Sequence, residues 1–198
     1  MAIARIGIYA GTFDPVHAGH IAFALQAIEQ AKLDKLYFLP ERRPRHKPGV
    51  EHFAHRVAML KQASLPHPKF YVLESVEVAF TVKRTLPLLT QKFKGAQLVF
   101  LFGSDAVAGL PNWPQADQLL KNSELVIAAR EGKDTKQLQN AIEQWPVQPK
   151  GALMLTSFAP KVSSTEVREA LRARQSAAGL LQSVARYSDH HWLYVSVS

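Results

Sequence analysis

The stretch "GTFDPVHAGH", residues 11–20, places two imidazoles three positions apart just after a glycine. His17 and His20 stand at i and i+3, so they face the same direction once a helix has begun. Imidazoles placed in this way, protonated or as neutral donors, suit the oxygens of a transferring phosphoryl group. Gly11 allows a tight turn and close approach to a ligand, and Thr12 and Phe13 then offer backbone N–H groups. Asp14-Pro15 reads as a turn pair. The rival reading is a turn and a helix cap with two incidental histidines. Zinc fits less well, because the chain has no cysteine and no third ligand lies close in sequence.

A second candidate is "VSSTEVREAL", residues 162–171. Ser163 and Glu166 spell a capping box at the head of an amphipathic helix. Capping leaves Ser164, Thr165 and Arg168 unexplained. Ser164 and Arg168 are four apart and share a helix face, where a hydroxyl and a guanidinium can grip a triphosphate. "RRPRHK", residues 42–47, reads alone as a solvated basic loop or a nucleic-acid contact. Trp113, in "PNWP", fits either an ordinary loop or an indole stacked on a heteroaromatic ring. His190 and His191 read as surface residues.

These groups need elements to hold them. "IARIGIYAG" reads as a short buried strand and "IAFALQAIEQAKL" as a helix. The histidine decamer is therefore a strand-to-helix junction, whose helix N-terminus favours phosphate. Further strands are expected at "KLYFLP", "KFYVLESVEV", "QLVFLFG", "LVIAAR" and "ALMLTSF". Helices are expected at "VEHFAHRVAMLKQASL", "DTKQLQNAIEQW" and through most of the tail after Ser163. "TVKRTLPLLTQKF" is also helical in pattern, with Pro87 expected to kink or shorten it. Such alternation predicts an α/β, Rossmann-like, doubly wound fold: a mostly parallel sheet with helices on both faces. Ligands of such sheets sit beyond the carboxyl ends of the strands, where strand order reverses. The decamer, "GSD" at residues 103–105 and "SFAPKVSSTEVR" all follow expected strands, and so belong to one edge.

The 198 residues suit a single domain spanning 1–198, and 47% hydrophobic with 20% charged residues is an ordinary globular balance. No apolar run approaches the roughly 18 residues of a membrane span. The N-terminus lacks the pattern of a signal peptide. The absence of cysteine suits a reducing compartment, so a cytoplasmic location is expected. A net charge of +8 favours polyanionic partners, whether nucleotides, RNA or acidic membrane surfaces.

In order along the chain, these segments resemble the bacterial nicotinate-nucleotide adenylyltransferase family of the nucleotidyltransferase superfamily. "GTFDPVHAGH" is similar to that family's nucleotide-binding motif, and "VSSTEVR" to its second ATP motif, usually written ISSTxxR. "PERRPRHKP" resembles its proline-histidine loop, "FTVKRTL" its pyridine-mononucleotide segment, and "GSD" its ribose-binding turn. "NWPQADQLL" matches the tryptophan loop, "AAREG" an arginine-bearing strand end, and "VARYSDHHWLY" the closing helix and tail. Three departures stand out. Arg42 and Arg45 replace a common Asn and Pro, Pro87 interrupts a family helix, and Pro114 follows Trp113 where Tyr is common.

The resemblance implies adenylyl transfer from ATP to nicotinate mononucleotide, giving deamido-NAD and pyrophosphate. Nicotinamide mononucleotide or another phosphorylated acceptor is the alternative, and a nucleic-acid-binding module on this fold is the rival of a different class. It implies catalytic roles for His17, His20 and Arg168. Gly11, Thr12, Phe13, Gly103, Asp105, Ser163, Ser164 and Thr165 join them in binding ATP. His46, Lys47, Thr81, Val82, Trp113 and Arg130 fall to the acceptor. Mg²⁺ is expected to arrive with ATP rather than at a metal site of the protein's own. The expected partners are ATP and a pyridine mononucleotide, with a homo-oligomer allowed and neither membrane nor nucleic acid expected.

Overall fold

The computed structural model describes residues 3–44, 47–74, 77–129, 133–156 and 162–195. Its strands are β1 (Arg5–Gly11), β2 (Lys35–Pro40), β3 (Phe70–Val72), β4 (Gln97–Gly103), β5 (Glu124–Ala129) and β6 (Ala152–Thr156). They form one sheet in the order β3-β2-β1-β4-β5-β6. The pairs β1–β4, β4–β5 and β5–β6 are parallel, and one row runs Tyr9, Leu101, Val126, Leu153. This is the expected Rossmann-like α/β sheet, and its strand order reverses between β1 and β4. The helices are α1 (Ala18–Gln30), α2 (Phe53–Ser64), α3 (Val82–Lys92), α4 (Ser104–Gly109), α5 (Ala116–Asn122), α6 (Lys133–Glu143), α7 (Ser164–Arg172) and α8 (Gln182–His190).

The chain divides into two compact units. The first takes Met1–Ala10, Phe23–Tyr37 and Phe80–Ser157. Its core includes Ile8, Phe100, Leu101, Leu119 and Ile127, all fully buried. β4 reads QLVFLFG because a strand covered on both faces needs apolar residues at successive positions, not alternate ones. At the start of β1, the Arg5 guanidinium donates to both carboxylate oxygens of Glu124 at 2.9 and 2.7 Å. Pro87 does not break its helix: α3 runs through it to Lys92. Proline there removes one bond to the Lys83 carbonyl, but both residues are exposed, so water can replace the lost donor.

The second unit takes Gly11–Ala22, Phe38–Ala79 and Phe158–Ser198. Phe38 centres its core, meeting Phe13 edge-on at 5.6 Å and Phe70 at 5.2 Å. The strand expected at "KFYVLESVEV" shrinks to the three residues of β3. β3 is an edge strand, and just beyond it Leu73 N–H donates to the Phe38 carbonyl at 2.8 Å. Residues 75–76 lie outside the described residues.

Candidate functional site

Within the second unit, the junction after β1 is built around an inward-turned Phe13. Gly11 leaves room there, since a Cβ would lie a tight 3.0–3.3 Å from the Phe13 ring. Phe13 itself adopts φ 50° and is buried, and its ring meets His20 edge-on at 5.1 Å. The side chain of Phe13 is thus a wedge beneath the loop. His17 precedes α1 and is only 6% exposed, whereas His20, the third residue of α1, is half-buried. Their rings lie 3.7 Å apart. Gly19 makes room, because a Cβ there would stand 3.1 Å from the His17 ring.

Both imidazoles are held neutral. Burial pulls His17 down to about 4, partly opposed by the Glu166 carboxylate. Burial also drives His20 well below its ordinary value, and His17 and Lys47 push it the same way. The backbone N–H of His17 donates to Nδ1 of His20 at 3.3 Å, which places the His20 proton on Nε2. Nδ1 of His17 is buried with no hydrogen-bond partner. A buried polar atom of this kind costs stability unless something comes to meet it.

The N-terminus of α7 abuts the same loop. Ser163 Oγ accepts from Glu166 N–H at 3.2 Å, and the Glu166 carboxylate accepts from Ser163 N–H at 2.7 Å, which completes the expected capping box. The Ser163 hydroxyl, followed by its N–H, holds the Glu166 carboxyl below its ordinary range. Ser164 Oγ donates to the Pro15 carbonyl at 3.1 Å. Arg168 donates to the Asp14 carbonyl at 2.6 Å and to Thr165 Oγ1 at 3.1 Å. From the basic loop, Lys47 Nζ donates to Thr12 Oγ1 at 3.1 Å. The structure therefore gathers Gly11, Thr12, Phe13, His17, His20, Lys47, Ser163, Ser164, Thr165 and Arg168 around one loop and two helix starts. Arg45 and His46 lie outside the described residues.

Sequence reasoning missed Arg56. Its side chain is 1% exposed, yet its guanidinium donates to the carbonyls of Glu51 (2.9 Å), Glu41 (2.7 Å), Arg42 (3.2 Å) and Thr12. It fastens the loop after β1 to the basic loop and to the start of α2. A signal was present: Arg56 lies within the buried arc of Val57, Met59, Leu60 and Ala63, where a charge demands partners. Asp14, read as a turn residue, carries a buried carboxylate that accepts from Tyr194 O–H at 2.7 Å.

In the first unit, Trp113 packs edge-on to Phe102 at 5.7 Å and tilted to Phe80 at 6.3 Å, and it remains half-exposed. Thr81 N–H is committed to Thr85 Oγ1 at 3.1 Å, while Thr81 Oγ1 is buried without a partner. Val82 opens α3, and first-turn N–H groups have no acceptor within their helix. Gly103 ends β4 with nothing within 4 Å of a Cβ built on it, and Asp105 is exposed in the first turn of α4. Arg130 lies outside the described residues. A cavity of about 390 Å³ opens instead at the amino ends of β1, β5 and β6, where Arg5 is already committed to Glu124 and to the Ala31 carbonyl.

Among the described residues, no group of three or more His, Cys, Asp or Glu could hold a metal ion, and no helix is long and apolar enough to cross a membrane.

The family model for cytidylyltransferase-like proteins matches residues 8–170. The chain is 33% identical over 202 residues to the nicotinate-nucleotide adenylyltransferase of Bacillus subtilis, covering 97% of this chain and 99% of that relative. Among solved structures, the fold is similar to that of the nicotinic acid mononucleotide adenylyltransferase of Plasmodium falciparum complexed with APC. That likeness has a TM-score of 0.76 at 15% identity, over 96% of this chain and 97% of the other. The same enzyme complexed with NaAD matches equally well, at 0.76 and 16%. The chain therefore belongs to the cytidylyltransferase-like family, as a nucleotidyltransferase of the nicotinate-nucleotide adenylyltransferase branch.

Proposed function

We propose that this protein transfers the adenylyl group of ATP to nicotinate mononucleotide, forming deamido-NAD and releasing pyrophosphate. The observation that carries the reading is the junction after β1, where two neutral, closely spaced imidazoles and the N-terminus of α7 meet one loop. The buried, unpartnered Nδ1 of His17 supports a ligand there that completes its hydrogen bonding. The relatives' activity supports the choice of acceptor.

The acceptor phosphate attacks the α-phosphorus of ATP. One O–P bond forms, the bridging bond to the β-phosphate breaks, and pyrophosphate leaves with the electron pair. The nucleophile is already anionic near neutrality, so no general base is required. Catalysis is then positioning and charge stabilisation. His20 donates from Nε2 and His17 flanks it at the reacting phosphate, and the N–H groups of Thr12 and Phe13 support the α-phosphate. Ser164, Thr165 and Arg168 hold the β- and γ-phosphates, the guanidinium's remaining donors serving phosphate oxygen while Nη1 stays on the Asp14 carbonyl. Asp105 and Gly103 take a ribose, Trp113 and Val82 the pyridine, and Lys47, with His46 and Arg130, the acceptor side. Mg²⁺, carried in on the triphosphate, would add charge neutralisation there.

A specific observation favours a broader acceptor range. Pro114 has no N–H to offer a nicotinate carboxylate beside Trp113. The test is pyrophosphate release with ATP and Mg²⁺ across nicotinate mononucleotide, nicotinamide mononucleotide and phosphopantetheine, with glycerol phosphate and CTP as the outgroup. Nicotinate mononucleotide should give the highest kcat/KM, with nicotinamide mononucleotide next. Turnover confined to phosphopantetheine or to CTP would overturn the assignment.

A further inference from the structure

After α8, residues 191–194 form a turn in which Leu193 and Tyr194 are each 8% exposed while Trp192 is 71% exposed. Trp192 and Tyr194 adopt φ 54° and 59°, left-handed values that side chains with a Cβ rarely take. Leu193 N–H donates to the Ser188 carbonyl at 3.0 Å, and Ser188 Oγ donates back to the Leu193 carbonyl at 3.3 Å. This unusual backbone path turns the Tyr194 ring inward.

The phenol ends on Asp14, whose side chain is itself 3% exposed. Tyr194 O–H donates to Asp14 Oδ1 at 2.7 Å, and Glu51 N–H reaches the same oxygen at 3.4 Å. The other carboxylate oxygen faces Arg168 at 3.8 Å, and the Asp14 carbonyl accepts from the same guanidinium nitrogen at 2.6 Å. Burial and the Asp14 charge push the Tyr194 phenol upward, so it stays a donor at every working pH. A buried carboxylate without its donors would desolvate at a cost and reorient.

We propose that Tyr194 is a positioning residue for nucleotide binding: it fixes the Asp14 carboxylate, and Asp14 holds Arg168 in its phosphate-gripping pose. The C-terminal turn is thereby a working part of the ATP site rather than a trailing end. The inference rests on the adenylyl-transfer reading for the role of Arg168, and direct ATP binding separates the two.

The experiment is calorimetric titration of ATP with Mg²⁺ into the full chain, together with steady-state kinetics and a thermal melt. Tyr194→Phe keeps the ring and deletes the hydroxyl. ATP affinity should fall roughly five- to tenfold, with the apparent KM for ATP rising in step and the acceptor KM moving less than about twofold. In an Arg168→Lys background the same substitution should have almost no further effect, because its route has been removed. Asp14→Asn provides a second background: it should weaken ATP binding at least as much and also abolish the effect of Tyr194→Phe. A lower melting temperature with unchanged ATP affinity would overturn the proposal, as would an equal fold-loss in every background. If wild type binds ATP but makes no dinucleotide from any acceptor, the functional reading fails while the Tyr194 result still decides this one. A wild type that does not bind ATP overturns both.

Discussion

Acidification should destabilise this protein through His17, and the sign follows from its burial. An unfolded histidine titrates near 6.5. In the folded chain, burial holds His17 at about 4, even with Glu166 nearby. Between those values the unfolded state binds a proton that the native state refuses. The contribution is therefore fully present above about pH 6.5 and is lost as pH falls towards 4. The loss is about 2 kcal/mol at pH 5 and approaches roughly 3 kcal/mol below pH 4. His20 acts in the same direction, since burial lowers it too, with His17 and Lys47 adding to the shift. The assay is urea unfolding at several pH values from about 8 down to about 5, on wild type and His17→Gln. Glutamine keeps a polar group there and cannot titrate. Wild type should lose about 2 kcal/mol more than the variant across that range. Equal slopes in the two proteins would show that the native imidazole accepts its proton as readily as the unfolded one, and the neutral-pair description would fall.

His20→Ala should cut turnover at saturating ATP by roughly 10²–10³, the cost of one preorganised donor, and near-normal turnover would remove His20 from the chemistry. Arg168→Ala should raise the apparent KM for ATP well beyond that for the acceptor, and a change confined to the acceptor would refute the phosphate grip. Arg56→Met strands the four carbonyls that the guanidinium serves, so urea unfolding should show a loss of about 3–5 kcal/mol. A loss under about 1 kcal/mol would mean that water replaces it. Pro114→Tyr restores an N–H after Trp113, and the ratio of kcat/KM for nicotinate over nicotinamide mononucleotide should rise roughly ten- to a hundredfold; an unchanged ratio would show that this donor plays no part.

The parts of this molecule that could be read from sequence are those decided within a few residues of backbone. A glycine before a loop, histidines at a helix start, and a serine three residues ahead of a glutamate each carry their geometry with them. The structure keeps all three. The parallel α/β sheet also followed, because strands alternating with helices leave few other ways to wind. Pro87 shows where a local rule yields: exposed on α3, it forfeits one bond that water can replace, and the buried Thr85, Leu86 and Leu89 still hold the helix.

What could not be read is the polar wiring, because its partners are set by the tertiary path. Asp14 meets a tyrosine 180 positions away, and Arg56 serves a carbonyl 44 positions before it. No window on the sequence spans such pairs. Composition even disguises them, since aspartate before proline is a good turn and arginine on a helix is a good surface residue. Burial reverses both readings: once either charge is out of water it must be satisfied, and the groups that satisfy it become fixed in turn. In the unit that carries the histidines, Asp14 lies in the loop before α1 and Arg56 is bonded to the Thr12 carbonyl of that same loop. The imidazoles are thus presented by a segment that two buried charges, not its own turn residues alone, keep in place.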